Sequence, residues 1–132
     1  MEKFQKRLSK NMKSHPIDCL VLGNGFDYFM NLLDMFNTVF VYENTLNLKR
    51  KNLIYRKSIK DVYHLKDITA IFIDLDKLKL IDELSPLLSS AWPDLFIEGD
   101  DVIPRTESKV LYQLGYNAVA QLGFCHVWRK VK

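Results

Sequence analysis

Apolar and polar positions along the chain alternate between two rhythms. Ile17 to Leu22 is an apolar run of strand length broken only by Asp18, the pattern of a parallel strand buried on both faces. Thr38 to Tyr42 is β-branched and aromatic and predicts a second strand that ends at Glu43. Asn52 to Tyr55 gives a weaker third strand, Ile68 to Ile73 a fourth and Asp94 to Ile97 a fifth. Helical spacing fills the gaps. Phe4, Leu8 and Met12 recur every four residues and predict a lead helix over residues 2–13, closed by Pro16, with His15 held extended. Tyr28 to Met35 is a helix with Phe29, Leu32, Leu33 and Phe36 inward and Asp27 as its cap. Asn44 to Lys51 reads as a short helix, and Ser58 to Lys66 as loop or poorly formed helix. Leu78 to Ser90 carries a broad stripe of Leu80, Ile81, Leu84, Leu87 and Leu88, with a kink or restart expected at Pro86. A further helix starts from Thr106 or Ser108 and runs to Leu114, where Gly115 suits a left-handed cap. Asn117–Gln121 and Phe124–Val131 are separated only by Leu122 and Gly123, which predicts an antiparallel hairpin.

The order is thus a lead helix, about five βα units and a hairpin. Strands alternating with helices predict an α/β fold with a mainly parallel sheet covered on both faces. With 132 residues and 48% hydrophobic positions, one ordinary globular domain over residues 1–132 is expected, residues 1–15 being its lead segment. No apolar stretch has the length of a membrane span, and no secretory leader precedes the first strand. Cys19 and Cys125 both lie in apolar runs, which predicts reduced, packed thiols and a cytoplasmic protein. The net charge of +3 is unevenly spread. Lys3, Lys6, Arg7, Lys10 and Lys13 crowd the lead helix, and Lys49, Arg50, Lys51, Arg56, Lys57 and Lys60 follow one another without an acid. Solvated faces explain such runs; an anionic partner such as nucleic acid is the alternative, although no nucleic-acid-binding motif accompanies them. An accessible sheet edge leaves room for a homodimer.

The chemistry centres on Leu22-Gly23-Asn24-Gly25-Phe26-Asp27-Tyr28. A buried strand, a tight glycine turn and a helix start bring bare backbone and free N–H groups to one point. The sequence resembles the class I S-adenosylmethionine-dependent methyltransferases here. Their D-x-G-x-G-x-G pattern is matched by Gly23 and Gly25 at the first two glycines, while Val21 stands at the acid position and Asp27 at the third glycine. Glu43 stands where that family's strand-two acid holds the ribose hydroxyls, 20 residues after Gly23. The later part resembles the FkbM branch of the family: Ile73-Asp74-Leu75-Asp76, then a strand ending at Glu98, then Gly115-Tyr116.

The resemblance implies a Rossmann-like doubly wound sheet of about seven strands. It also implies S-adenosylmethionine at Gly23, Asn24, Gly25, Glu43 and Asp74, catalytic carboxylates at Asp74 and Asp76, and an unspecified methyl acceptor. A methyltransferase-like module without catalysis is the alternative. The residues alone leave the glycines open to a plain turn, Glu43 to an exposed strand-end acid, and Asp74 and Asp76 to helix capping. His15, His64 and His126 lack partners at metal-ligand spacing, so no metal is expected. Trp92 and Trp128 are expected to pack. A nicotinamide motif would need glycine at Tyr28, and a Walker A loop would need Gly-Lys-Ser/Thr; neither is present. After Asp76, Lys77 and Leu78 replace the glycine and threonine of the haloacid-dehalogenase pattern.

Overall fold

The computed structural model describes residues 2–12, 15–23, 29–42, 48–63, 65–99, 102–123 and 125–131, and for residues 2–5 and 29 the backbone alone. In chain order these form α1 (Glu2–Lys10), β1 (Asp18–Leu22), α2 (Phe29–Met35), β2 (Thr38–Tyr42), β3 (Leu53–Arg56), a 3-10 helix (Ile59–Val62) and β4 (Ile68–Asp74). A second 3-10 helix (Leu75–Leu80), α3 (Ile81–Ser90), β5 (Asp94–Glu98), α4 (Arg105–Gln113), β6 (Tyr116–Leu122) and β7 (Cys125–Lys130) follow. The strands make one seven-stranded sheet in the order β3-β2-β1-β4-β5-β7-β6. The first five are parallel, and β7 inserts antiparallel between β5 and β6. This is the Rossmann-like, methyltransferase-type α/β fold.

Alternation along the strands divides the core in two. Cys19, Val21, Val39, Val41, Ala70, Phe72 and Phe96 point to the face covered by α1 and α2. Leu20, Leu22, Phe40, Ile71, Ile73, Leu95 and Ile97 point to the face covered by the two 3-10 helices, α3 and α4. Phe72 stacks on Phe96 at 4.8 Å between ring centroids, and Phe36 meets Phe72 edge-on. Both cysteines are buried free thiols. No helix among the described residues is long and apolar enough to cross a membrane.

Several local expectations are corrected. The stretch expected as a helix over Asn44–Lys51 is not helical at residues 48–51; residues 44–47 lie outside the described ones. There Leu53 N–H reaches back to the Arg50 carbonyl, and the Asn52 amide donates to the Leu33 and Phe36 carbonyls at the end of α2. Tying off a neighbouring helix end claims the residues that would have continued a helix of their own. Pro86 does not restart α3. The helix runs through it, because Ile81, Leu84, Leu87 and Leu88 are all buried around an exposed Pro86. Four buried side chains at about 1.5–3 kcal/mol each outweigh roughly 3 kcal/mol for a proline in a helix interior.

The true change of geometry comes earlier, between Leu80 and Ile81. Leu75, Leu78 and Ile81 recur at a spacing of three, and the 3-10 helix has three residues per turn. Thr106 and Ser108 do not cap α4, whose first residue is Arg105. Ser108 lies inside it and donates its hydroxyl to the Pro104 and Arg105 carbonyls. Gly115 does take the left-handed cap, with φ +90° and its N–H on the Tyr112 carbonyl. Trp92 is 44% exposed, not packed: its indole N–H donates to the Ser89 carbonyl and the Lys130 ammonium lies over its ring at 4.6 Å. Trp128 is buried, as expected, with Tyr112 against its edge.

Candidate functional site

Strand order reverses between β1 and β4, since β2 and β3 lie on one side of β1 and β4 and β5 on the other. The crevice beyond the carboxyl ends of the strands at such a reversal is where open α/β sheets take their ligands. Register fixes which residues share that rim. Leu22 at the end of β1 pairs with Tyr42 and with Ile73, and Tyr42 pairs with Arg56. One step on, Asp74 pairs with Glu98. Arg56, Tyr42, Gly23, Asp74 and Glu98 therefore follow one another along a single edge.

Gly23 leaves β1 with φ +114°, a conformation that side-chain-bearing residues rarely adopt, and its N–H points at the Tyr42 carbonyl at 3.5 Å. A Cβ on Gly23 would collide with the Asp74 carboxylate, lying 2.6 Å from its Cγ and 3.1 Å from its Cβ. The carboxylate is thus laid against bare backbone, a contact between residues 51 apart in sequence that only hydrogen in place of a side chain permits. Asp74 makes no capping hydrogen bond to the 3-10 helix that starts at Leu75, so capping does not account for it. Asp76 is exposed in the first turn of that helix.

Glu98 ends β5 half-buried beside Cys125, the first residue of β7 and its partner across the ladder. Burial, and secondarily the Glu98 carboxylate, push the Cys125 thiol up to about 12, with Arg7 of α1 pulling the other way. That thiol is therefore an inert packing group, not a nucleophile. Arg7 also approaches Gly123, so the basic lead helix overlies this end of the sheet. At the far end of the rim, the Arg56 guanidinium lies over the Phe40 ring at 5.4 Å.

Of the residues singled out in the sequence, Gly23 and Asp74 meet in space and Asp76 follows within one turn. Asn24, Gly25, Asp27 and Glu43 lie outside the described residues, as does His64. Val21, at the position where the methyltransferase motif carries an acid, is wholly buried under α1 and α2. The Gly115–Tyr116 pair belongs to the fold: Tyr116 is buried and donates its hydroxyl to the Pro93 carbonyl at 2.7 Å. Sequence reasoning missed Arg56 as a rim residue; the signal was its place immediately after a short apolar strand. Among the described residues no group of three His, Cys, Asp or Glu side chains is arranged to hold a metal ion.

No family model matches the chain, and no curated protein matches it. Solved structures that share its fold include the following two. One, from Anaeromyxobacter dehalogenans, is described as a "putative type II methyltransferase"; it is 13% identical, with a TM-score of 0.52 over 86% of this chain and 54% of that one. The other is a precorrin 8W decarboxylase from Methanobacterium thermoautotrophicum, 13% identical, with a TM-score of 0.53 over 97% of this chain and 85% of that one. At such identity the likeness is one of fold, it does not extend to the FkbM branch, and the chain spans about half the length of the first.

Proposed function

We propose that the chain is an S-adenosylmethionine-dependent methyltransferase whose cofactor lies at the rim between β1 and β4. The observation that carries this reading is the seating of the Asp74 carboxylate on the bare backbone of Gly23, at the point where strand order reverses. A carboxylate held there suits a ligand bearing positive charge, and S-adenosylmethionine carries both a sulfonium and an ammonium group. Bound, it supplies an electrophilic methyl group. Gly23 keeps backbone open to it, Asn24 and Gly25 are the cofactor contacts that follow it in sequence, and Glu43, next after β2, takes the ribose hydroxyls. Asp74 faces the positive charge. Asp76, exposed beside it, is the group suited to take a proton at its carboxylate oxygen from an acceptor hydroxyl or amine. Alignment of the acceptor does the remainder, because methyl transfer asks chiefly for an in-line approach. Asp74-Leu75-Asp76 and Glu98 support the FkbM-like assignment within the family, and the two buried thiols support a cytoplasmic setting.

Buried Val21 favours a second reading, a methyltransferase-like binding module without catalysis. Calorimetry with S-adenosylmethionine and S-adenosylhomocysteine separates the two. Saturable micromolar binding that is lost in Glu43→Ala and weakened in Asp74→Asn supports the cofactor site. Failure of the folded wild-type protein to bind either compound sinks it and favours the module.

A further inference from the structure

Among the described residues β3 is an outer strand, paired only with β2. Lys49, Arg50 and Lys51 lead into it, Arg56 ends it, and Lys57 and Lys60 follow, with no acid between residues 48 and 60. All but the half-buried Arg56 are exposed. Tyr55 lies within the strand, 44% exposed, with its hydroxyl fixed by donating to the Leu48 carbonyl at 3.0 Å and accepting from the Leu48 N–H at 3.2 Å. The Arg56 Nε is buried and makes no hydrogen bond among the described residues.

Charge at both ends of a short outer strand describes a track. From Lys51 to Lys57 an extended chain covers about 20 Å. Phosphates advance by roughly 3.4 Å of helix axis per nucleotide of one strand in duplex geometry and lie farther apart along an extended single strand, so a few fit to that length. A fixed, half-exposed aromatic ring among cations is the usual platform for an unpaired base. A membrane surface fits less well, since Tyr55 is the one large hydrophobic residue exposed among the described residues of this segment.

We infer that the β3 flank is a docking surface for single-stranded nucleic acid. Its carboxyl end lies two strand spacings, about 10 Å, from the turn at Gly23. A strand held on the flank therefore reaches the rim and presents a nucleotide there as the methyl acceptor. That last step rests on the methyltransferase reading; the docking does not.

The test is fluorescence anisotropy of labelled oligouridine and oligothymidine with the full chain, beside sedimentation with phosphatidylserine vesicles. If Lys49, Arg50, Lys51, Lys57 and Lys60 each neutralise a phosphate, affinity falls about a hundredfold between 50 and 200 mM salt. The combined variant Lys49→Ala/Arg50→Ala/Lys51→Ala lowers the log–log salt slope by about 2. Arg105→Ala/Lys109→Ala, on α4, leaves it unchanged. Preference for oligouridine assigns RNA and preference for oligothymidine assigns DNA. Absence of saturable oligonucleotide binding, an equal loss in the α4 variant, or vesicle binding with the same residue dependence and higher affinity overturns the inference. Oligonucleotide binding by a chain that binds no S-adenosylmethionine upholds the docking surface and removes only the acceptor role.

Discussion

Replacing Gly23 by alanine tests the contact on which the candidate site is built. Two costs add. The backbone at φ +114° is strained for any residue with a Cβ, by about 1–3 kcal/mol. The new methyl group also drives into the Asp74 side chain, whose Cγ would lie 2.6 Å away, so the carboxylate must leave or the turn must shift. Overpacking of this kind costs about 1–3 kcal/mol. The sum, roughly 2–6 kcal/mol, is a large share of the ~5–15 kcal/mol that holds a domain folded. Urea unfolding followed by circular dichroism reads it, provided the slope with denaturant stays constant. The background variants separate the two costs. Asp74→Ala removes the carboxylate and leaves only the Cβ, 3.1 Å from the new methyl, so Gly23→Ala should then cost about 1–3 kcal/mol less. Asp74→Asn keeps the shape and should bring no relief. Costs in wild type and Asp74→Ala that agree within about 0.5 kcal/mol would show that the two residues do not touch.

Three further outcomes follow from packing and ionisation. Arg129 forks onto Asp94, Nε to Oδ1 at 3.0 Å and an η-nitrogen to Oδ2 at 3.3 Å, and that η-nitrogen also donates to the Asn11 carbonyl. Asp94 is 2% exposed, so Arg129→Met takes a charge-paired fork from a buried carboxylate and should lower unfolding free energy by about 3–5 kcal/mol in urea titration, whereas a loss below 1 kcal/mol counts against the fork. Pro86→Ala, on the exposed side of α3, restores a helix donor and should stabilise by roughly 1–3 kcal/mol; a net loss in melting temperature contradicts an unbroken helix. The folded Cys125 thiol holds its proton up to about pH 12 against an ordinary 9.0, and burial likewise raises Cys19 well above that value. The unfolded chain therefore loses thiol protons first as pH rises above 9, and stability falls, by up to about 1.4 kcal/mol per pH unit for each thiol. Cys125→Ala should flatten that alkaline slope in urea titrations at successive pH values; an unchanged slope contradicts the burial argument.

Sequence legibility followed the range of the forces involved. The strands were readable to within a residue or so, because burial on both faces writes an unbroken apolar run such as Cys19–Leu22. Their order along the sheet was readable through the family resemblance, and the rim follows from that order. The helix expected near residues 44–51 failed at its described end because Asn52 is engaged by α2, a contact 16 to 19 residues away that no local pattern reports. Pro86 suggested a restart that the helix does not make, because its local cost is real but smaller than the burial around it. The period of three at Leu75, Leu78 and Ile81 was present in the sequence and was absorbed into a helical stripe. At the site, the convergence of Gly23 and Asp74 was legible from topology; the seating of one on the other was not, because it depends on the backbone angle at Gly23.

β6, the outermost strand on the side away from β3, carries one residue too many. Ala118 faces Trp128 and Ala120 faces Val127, so Val119 stands out of register, 45% exposed. The surplus residue interrupts the ladder midway and spoils it as a template for sheet growth by another molecule. Deleting Val119 should straighten this margin into a continuous row of donors and acceptors and raise its tendency to pair with a second copy.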